Sequence, residues 1–331
     1  MMVVKSLLSA ILLLLISGSA FAQSLRVAVI SDLNGSYGST DYNPRVNAAV
    51  ERIIKLAPDL VISTGDMVAG QRRPVLSETQ VKAMWQAFHA GVTDPLRSAG
   101  IPLLVTPGNH DASAYGGFEG ERRIFTEQWR ARKPAVDYID DADYPFFYAF
   151  RMKNVTFVSL DATVIGPLQG GQSKRLRALA ARDETLIAFS HLPLWPFAIG
   201  REAEIIGDTG LQDIFRSIDL DLHLSGHHHA FYPGWKDETV FVSQACLGGG
   251  PRRLLGTSTR SAHAITVLEI SAQGEIDITA YTGDAFSFPI DWTKLPTQVG
   301  SGSSALKRLD LVPAMVTNNE DYRDPAPTAA G

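Results

Sequence analysis

Cysteine is all but missing from this 331-residue chain, where Cys246 is the only one. No intramolecular disulfide can form, and a structural zinc site built on cysteines is equally excluded. Excess positive charge is missing too, because 30 Lys and Arg face 35 Asp and Glu for a formal charge of −5. That balance offers no broad basic face, so a nucleic-acid partner is not expected. Long apolar runs are also scarce. The one near the N-terminus, Ile11 to Ile16, falls far short of the roughly 20 residues that span a bilayer, and no later segment has the length and apolarity to do so.

That first run belongs to a different pattern. Lys5 precedes it, and small residues follow from Ser17, closing on Ala20-Phe21-Ala22. This reads as a secretory signal peptide over residues 1–22, cleaved after Ala22, with an uncleaved N-terminal anchor as the other reading. The mature protein is then expected to be exported, periplasmic or secreted, with no integral membrane segment. What remains is long enough for one large α/β domain or two smaller ones. Cys246 reads as a small buried residue at a strand end.

From Leu25 the chain gives Arg26-Val27-Ala28-Val29-Ile30-Ser31-Asp32, a buried strand ending on an acid. Val46, Ala49, Val50, Ile53 and Ile54 predict a helix over Val46–Leu56, which Pro58 stops. A strand over Leu60–Asp66, a helix over Val81–Ala90 and a strand from Ile101 follow, the last leading into Pro107-Gly108-Asn109-His110-Asp111. Strand-then-helix units in succession imply a parallel sheet. Between Ala112 and Pro145 the period lapses, while Tyr115, Phe118, Phe125, Trp129, Tyr138 and Tyr144 are scattered among glycines and charges. This stretch reads as a long irregular insertion, either a substrate loop or an aromatic-packed surface excursion.

Phe146–Phe150 and Val155–Asp161 predict a hairpin turning at Lys153-Asn154, followed by a helix over Ser173–Ala181 and a strand over Leu186–His191. A helix near Leu211–Ile218 and a strand over Leu220–Leu224 come next. Val240–Ser243, His263–Ile270 and Glu275–Tyr281 are expected to complete a second, antiparallel sheet. Residues 23–284 are taken as the domain and 285–331 as a C-terminal extension, polar and expected to be disordered from Thr317 onward.

Asp32, Asp66, Asn109, His191, His227 and His229 all stand at or just past the ends of predicted strands. In open α/β sheets ligands bind there, so residues distant in the chain converge. Oxygen and imidazole donors suit divalent ions such as manganese, iron or zinc. Singly, each has a plainer reading, since a strand-end Asp is commonly a helix cap and a lone His a structural one. Gly108-Asn109-His110-Asp111 and Gly226-His227-His228-His229, in that order, lift the set above it. His228 should point the other way if its segment is extended, and His89, His223 and His263 are read as structural.

The ordered set resembles the calcineurin-like metallophosphoesterase superfamily, with its D-x-H, G-D, G-N-H-[DE], later H and G-H-x-H, over Leu25 to Tyr281. The resemblance implies an α/β fold, a four-layer α/β/β/α sandwich with two mixed β-sheets. It also implies two divalent metal ions, one held by Asp32, Asp66 and His229, the other by Asp66, Asn109, His191 and His227. Asp66 would bridge them, beside a hydroxide nucleophile. His110 would stand next to the metals without binding, donating a proton to the leaving oxygen or stabilising the transition state. Asp111 either orients His110 or caps a helix.

One motif departs from the pattern. It reads Asp32-Leu33-Asn34, so the expected second histidine is Asn34. A carbonyl oxygen is a weaker ligand for zinc or iron than imidazole and suits manganese, magnesium or calcium better, so the first metal is expected to be the looser one. Purple acid phosphatases also lack that histidine, but they place a tyrosine shortly after G-D, where Met67, Val68 and Ala69 stand here. That subclass is not expected.

The expected partner is a small phosphorylated substrate, a phosphodiester ahead of a phosphomonoester. A non-catalytic metal- or phosphate-binding protein is the reading from another class. Arg252, after Gly248-Gly249-Gly250, is the first choice for a phosphate contact, with Arg72-Arg73 and Arg122-Arg123 behind it. No oligomeric state is read from the sequence.

Overall fold

The computed structural model describes residues 24–179 and 184–313; the expected signal peptide and the polar end from Thr317 lie outside them. Strand β1 (Leu25–Ile30) is buried except at Arg26. Helix α1 (Pro44–Leu56) starts ahead of the apolar period, because Asn43 Oδ1 accepts from Arg45 N at 3.0 Å and Pro44 presets the first turn. Val46, Ala49, Val50 and Ile53 form its buried face, and Ala57 in the left-handed conformation closes it. Strand β2 (Leu60–Ser63) runs parallel to β1. Helix α2 (Glu78–Phe88) opens on a capping box of Ser77 and Gln80. It continues through a π-helical turn, His89–Thr93, into α3 (Asp94–Ser98). Strand β3 (Leu103–Val105), parallel to β2, leads to the single turn α4 (Asn109–Ala112).

The stretch after Ala112 is more regular than expected. Helix α5 (Glu119–Arg130) buries Glu121, Ile124, Phe125 and Trp129, a helical spacing disguised by charges on its other face. Trp129 meets Trp85 of α2 edge-on at 6.1 Å, so Phe125, Trp129 and Tyr144 belong to the core, while Tyr115 stays exposed. Strand β4 (Asp137–Asp143) then pairs with β5 (Phe147–Met152). The hairpin of β5 and β6 (Val155–Ser159) turns at Lys153-Asn154 as expected, with Lys153 at φ 55°.

Helix α6 (Gln172–Ala178), β7 (Thr185–Ser190), α7 (Thr209–Ser217) and β8 (Leu222–Ser225) follow. Strands β9 (Tyr232–Lys236) and β10 (Thr239–Ser243) form another hairpin. The next two strands depart from expectation. β11 (Ile265–Ile270) and β12 (Ile276–Thr282) return to the first sheet, where β11 lies antiparallel to β1. After Gly283 come three strands too short to show alternation, β13 (Phe288–Pro289), β14 (Gln298–Val299) and β15 (Leu306–Arg308).

Two mixed sheets result, one in the order β13-β12-β11-β1-β2-β3 and the other β14-β15-β9-β10-β8-β7-β6-β5-β4. The second half is therefore not simply antiparallel, since β6, β7, β8 and β10 run parallel. Alternation along β5 exposes the layering: Tyr148 and Phe150 join the core shared by the two sheets, while Phe147 and Ala149 join the one under α6 and α7. The Tyr148 hydroxyl crosses between sheets, donating to Val105 O at 2.6 Å and accepting from Val105 N at 3.0 Å. With α1, α2 and α3 packed on the first sheet, the fold is a four-layer α/β/β/α sandwich.

Candidate metal centre

Asp32, Asp66 and Asn109 follow β1, β2 and β3 of the first sheet, while His191 follows β7 and His227 and His229 follow β8 of the second. The parallel strands of both sheets end at one rim, and the six side chains meet there. The turns that aim them are strained: Asp32, Asp66, His227 and His229 have φ of 50°, 55°, 64° and 50°, a region that costs an ordinary residue about 1–3 kcal/mol. Backbone bonds across the turns hold them, Asp32 N to Gly65 O at 3.0 Å, Gly226 N to His191 O at 3.0 Å and Gly248 N to Asp32 O at 2.8 Å. A Cβ on Gly108 would lie 2.1 Å from Asp66 N, so only glycine lets those two turns approach.

The hydrogen bonds dictate which atoms face inward. His191 Nδ1 donates to Thr64 O at 2.9 Å, which turns its Nε2 toward Asn109 Oδ1 at 2.8 Å and Asp66 Oδ1 at 3.3 Å. Asn109 presents that oxygen because its Nδ2 donates to Gln71 Oε1 at 2.6 Å, and Gln71 Nε2 in turn donates to Ser113 Oγ at 3.0 Å. His227 Nε2 meets Glu204 Oε2 at 2.7 Å, leaving Nδ1 to face His191 Nε2 at 3.2 Å. Two imidazole lone pairs, an amide oxygen and a carboxylate therefore point at one another. Either a proton or a cation has to sit among them, and this donor set fits a divalent ion. Asp66, His191 and His227 alone bring three donor atoms within 4.8 Å of one another.

A second cluster adjoins the first. His229 Nδ1 donates to Gly250 O at 3.2 Å, and its Nε2 stands 3.0 Å from Asp32 Oδ1. That buried oxygen accepts no hydrogen bond, whereas Asp32 Oδ2 accepts from Ser31 Oγ at 2.6 Å and His227 N at 3.1 Å. An orphaned carboxylate oxygen facing a bare imidazole nitrogen also fits an ion. Asn34 lines the same cleft, and its Nδ2 donates to Val68 O at 3.3 Å, which leaves the carbonyl oxygen as its only possible metal donor.

The charges are strongly coupled. Burial would raise Asp32, but His229 outweighs it and holds the carboxyl at about 2. Burial likewise opposes ionisation of Asp66, yet His191 and His110 keep it well below the usual carboxylate range. Burial depresses His191, but Asp66 overcomes this and lifts it to about 9. His227 is pushed down by burial, and Glu204 is held at about 2 by its bond to His227 and by Arg201. In the absence of an ion, a proton on His191 supplies the positive charge the cluster demands.

His110 takes its orientation from Gly70 rather than from Asp111. Its Nδ1 donates to Gly70 O at 2.9 Å, and Gly70 N returns a bond to His110 O at 2.9 Å. Its Nε2 is 3.9 Å from Asp66 Oδ2, on the cleft side. Asp111 does not touch the imidazole. Its Oδ1 accepts from Met67 N at 2.8 Å and Val68 N at 2.9 Å, and its Oδ2 from Gly108 N at 2.9 Å. The carboxyl organises the turns around Asp66, and the capping alternative is the one the geometry favours. Burial and the neighbouring Asp66 push it up to about 7.

The cleft has a volume of about 360 Å³ and includes Arg252, whose Nη1 donates to the His227 carbonyl. Arg122 is committed elsewhere, to Asp161 Oδ2 at 2.6 Å, and Arg123 to Glu127 and Glu78. Arg72 and Arg73 line an adjoining groove instead. His228 turns away as expected, its Nδ1 accepting from Phe197 N at 3.1 Å and its Nε2 donating to Glu204 O at 3.1 Å. Among the cleft residues that escape the sequence reading are Glu204, Gln71, Arg201 and Tyr37. None has a fixed spacing to a motif; the only signal is that each lies in a connection following a ligand-bearing strand.

The calcineurin-like phosphoesterase family model matches residues 25–231, a stretch containing all six converging side chains and His110. No curated protein sequence matches the chain. Among solved structures, purple acid phosphatase PPD1 from yellow lupin (Lupinus luteus) seeds superposes with a TM-score of 0.61 at 16% identity, over 82% of this chain and 53% of that one. The chain thus spans about half the length of the lupin protein. A dimetal phosphatase from Danio rerio gives 0.54 at 14% identity, over 78% of this chain and 95% of that one. GAP50, described as the anchor in the inner membrane complex of Plasmodium, gives 0.52 at 15% identity over 81% and 88%. At these identities the structural likeness is one of fold, whereas the family match rests on the sequence that builds the site. The chain belongs to the calcineurin-like phosphoesterases.

Proposed function

We propose that this chain is an exported phosphodiesterase that works with two divalent metal ions. Asp66, Asn109, His191 and His227 would hold one, and Asp32, Asp66 and His229, with Asn34 as a weak fourth donor, the other. Bound there, such ions supply Lewis acidity toward the phosphoryl oxygens and acidify a water. The observation that carries the reading is the convergence of His191 Nε2, His227 Nδ1 and Asn109 Oδ1, each turned inward by an outer partner, on Asp66 Oδ1.

The protein's own groups do the rest. His110, with Nδ1 tied to Gly70 O, offers Nε2 to protonate the leaving oxygen. Arg252, which lines the same cleft, binds a phosphoryl oxygen. Of the guanidinium groups in the cleft, Arg201 is committed to Glu204, which leaves Arg252 alone and favours a singly charged diester over a dianionic monoester. Export through residues 1–22 and a preference for manganese at the site containing Asn34 belong to the same reading.

The test is turnover of bis-p-nitrophenyl phosphate and p-nitrophenyl phosphate by purified protein with manganese, the diester being the better substrate. Turnover of the monoester alone would reverse the substrate preference. No turnover of either at stoichiometric metal would leave a metal-binding protein without catalysis, the reading that Asn34 in place of an imidazole favours.

A further inference from the structure

The metal cleft continues past Tyr37 and Gln71 into a groove of about 640 Å³, walled by Arg72, Arg73, Tyr115 and Phe118. Seven large apolar side chains are exposed among the described residues, and three of them, Tyr37, Tyr115 and Ile165, gather here. Scattered exposed apolar residues need no explanation, but a cluster joined to a reaction centre marks a binding surface.

The tyrosines are set as platforms. The Tyr37 ring lies 5.2 Å from the His110 ring at 54°, so one π face begins beside the leaving-group position. The Tyr115 hydroxyl accepts from Ile165 N at 3.2 Å, which anchors the ring while 45% of the residue stays exposed. Tyr115 also borders a smaller hollow that reaches Asn109 and His227. Arg73 lies over the Phe118 ring at 4.9 Å and donates to Gly116 O at 2.9 Å, making it a flat wall. Arg72 is exposed in the same lining.

An acyl chain would call for aliphatic walls, whereas this groove combines aromatic faces, guanidinium groups and an amide. Those features suit a flat ring with a polar edge. Resting on the reading of the metal cleft as the phosphate site, we propose that the groove takes the base of a nucleotide-type ester. The phosphate would lie at the metals and the base against Tyr37 and Tyr115.

The test is calorimetric binding of adenosine 5′-monophosphate and ribose 5-phosphate to the manganese-loaded protein. A base stacked on an aromatic side chain adds roughly tenfold in affinity, so the nucleotide should bind about tenfold more tightly. Tyr37→Ala or Tyr115→Ala should abolish the difference, Tyr115→Phe should keep it, and Phe288→Ala, at an exposed position on the edge of the first sheet, should not affect it. Equal affinities in the unaltered protein, or a difference that survives both alanine variants, would overturn the proposal. Base-selective binding without hydrolysis of any ester would sink the hydrolase reading and keep the groove. Hydrolysis with equal binding would do the reverse.

Discussion

Glu204 Oε2 stands 2.7 Å from His227 Nε2, on the far side of the ring from the inward-facing Nδ1. The carboxylate fixes the tautomer that leaves Nδ1 bare and makes that nitrogen a better donor. Outer partners of this kind are worth about 10–100-fold in metal affinity. Glu204→Gln should weaken binding of the tighter ion within that range while leaving the metal-free melting temperature close to unaltered, as read by chelator competition and a thermal melt. An unchanged metal affinity would reduce Glu204 to a partner of Arg201.

Metal should displace a proton. With His191 lifted to about 9 in the metal-free protein, its imidazole is charged at pH 7 and has to lose Nε2–H before Nε2 can bind an ion. Calorimetry in buffers of different ionisation enthalpy should therefore show about one proton released at pH 7 by the ion that His191 binds, and affinity at that site rising with pH up to about 9. Binding without proton release would show that His191 is neutral beforehand.

Restoring an imidazole at the departure from the family pattern should tighten the looser site. Asn34→His should convert a weakly bound second equivalent of manganese or zinc into a retained one, as counted by metal analysis after dialysis. The cost is the Asn34–Val68 hydrogen bond, about 1 kcal/mol of stability.

His110→Ala should lower kcat by roughly 10²–10⁴, the range of general acid–base catalysis, with metal content intact because its ring lies outside both donor sets. A loss of metal in this variant would mean that the imidazole supports Asp66 rather than the leaving group.

Away from the centre, burial holds His223 at about 3. Its folded pKa is lowered, so the unfolded chain takes up the proton first, and stability is lost as pH falls from about 6.5 toward 3. Over that window His223 contributes about 1.4 kcal/mol per pH unit. His223→Gln should flatten the decline of stability by that amount in urea melts at pH 6 and pH 5 with chelator present.

The turns carrying the candidate ligands were legible in the sequence because each follows a short, mostly apolar strand and ends on a residue type with few other uses there. Their neighbours were not. Glu204 and Gln71 act through contacts made only once two sheets are stacked, and no local period announces such contacts. Charges hid α5, whose buried positions 121, 124, 125 and 129 are helical in spacing. The return of β11 and β12 to the first sheet was illegible for another reason, since alternation gives a strand but not its partner.

Each sheet supplies three of the six inward-facing side chains, and neither set would surround an ion by itself. Tight retention of metal is therefore a property of the finished molecule: a chain in which only one layer has formed has nothing with which to keep it. Loading then serves as a checkpoint on assembly. In a population of freshly folded chains, the fraction that carries metal through dialysis reports the fraction whose two layers have docked in register.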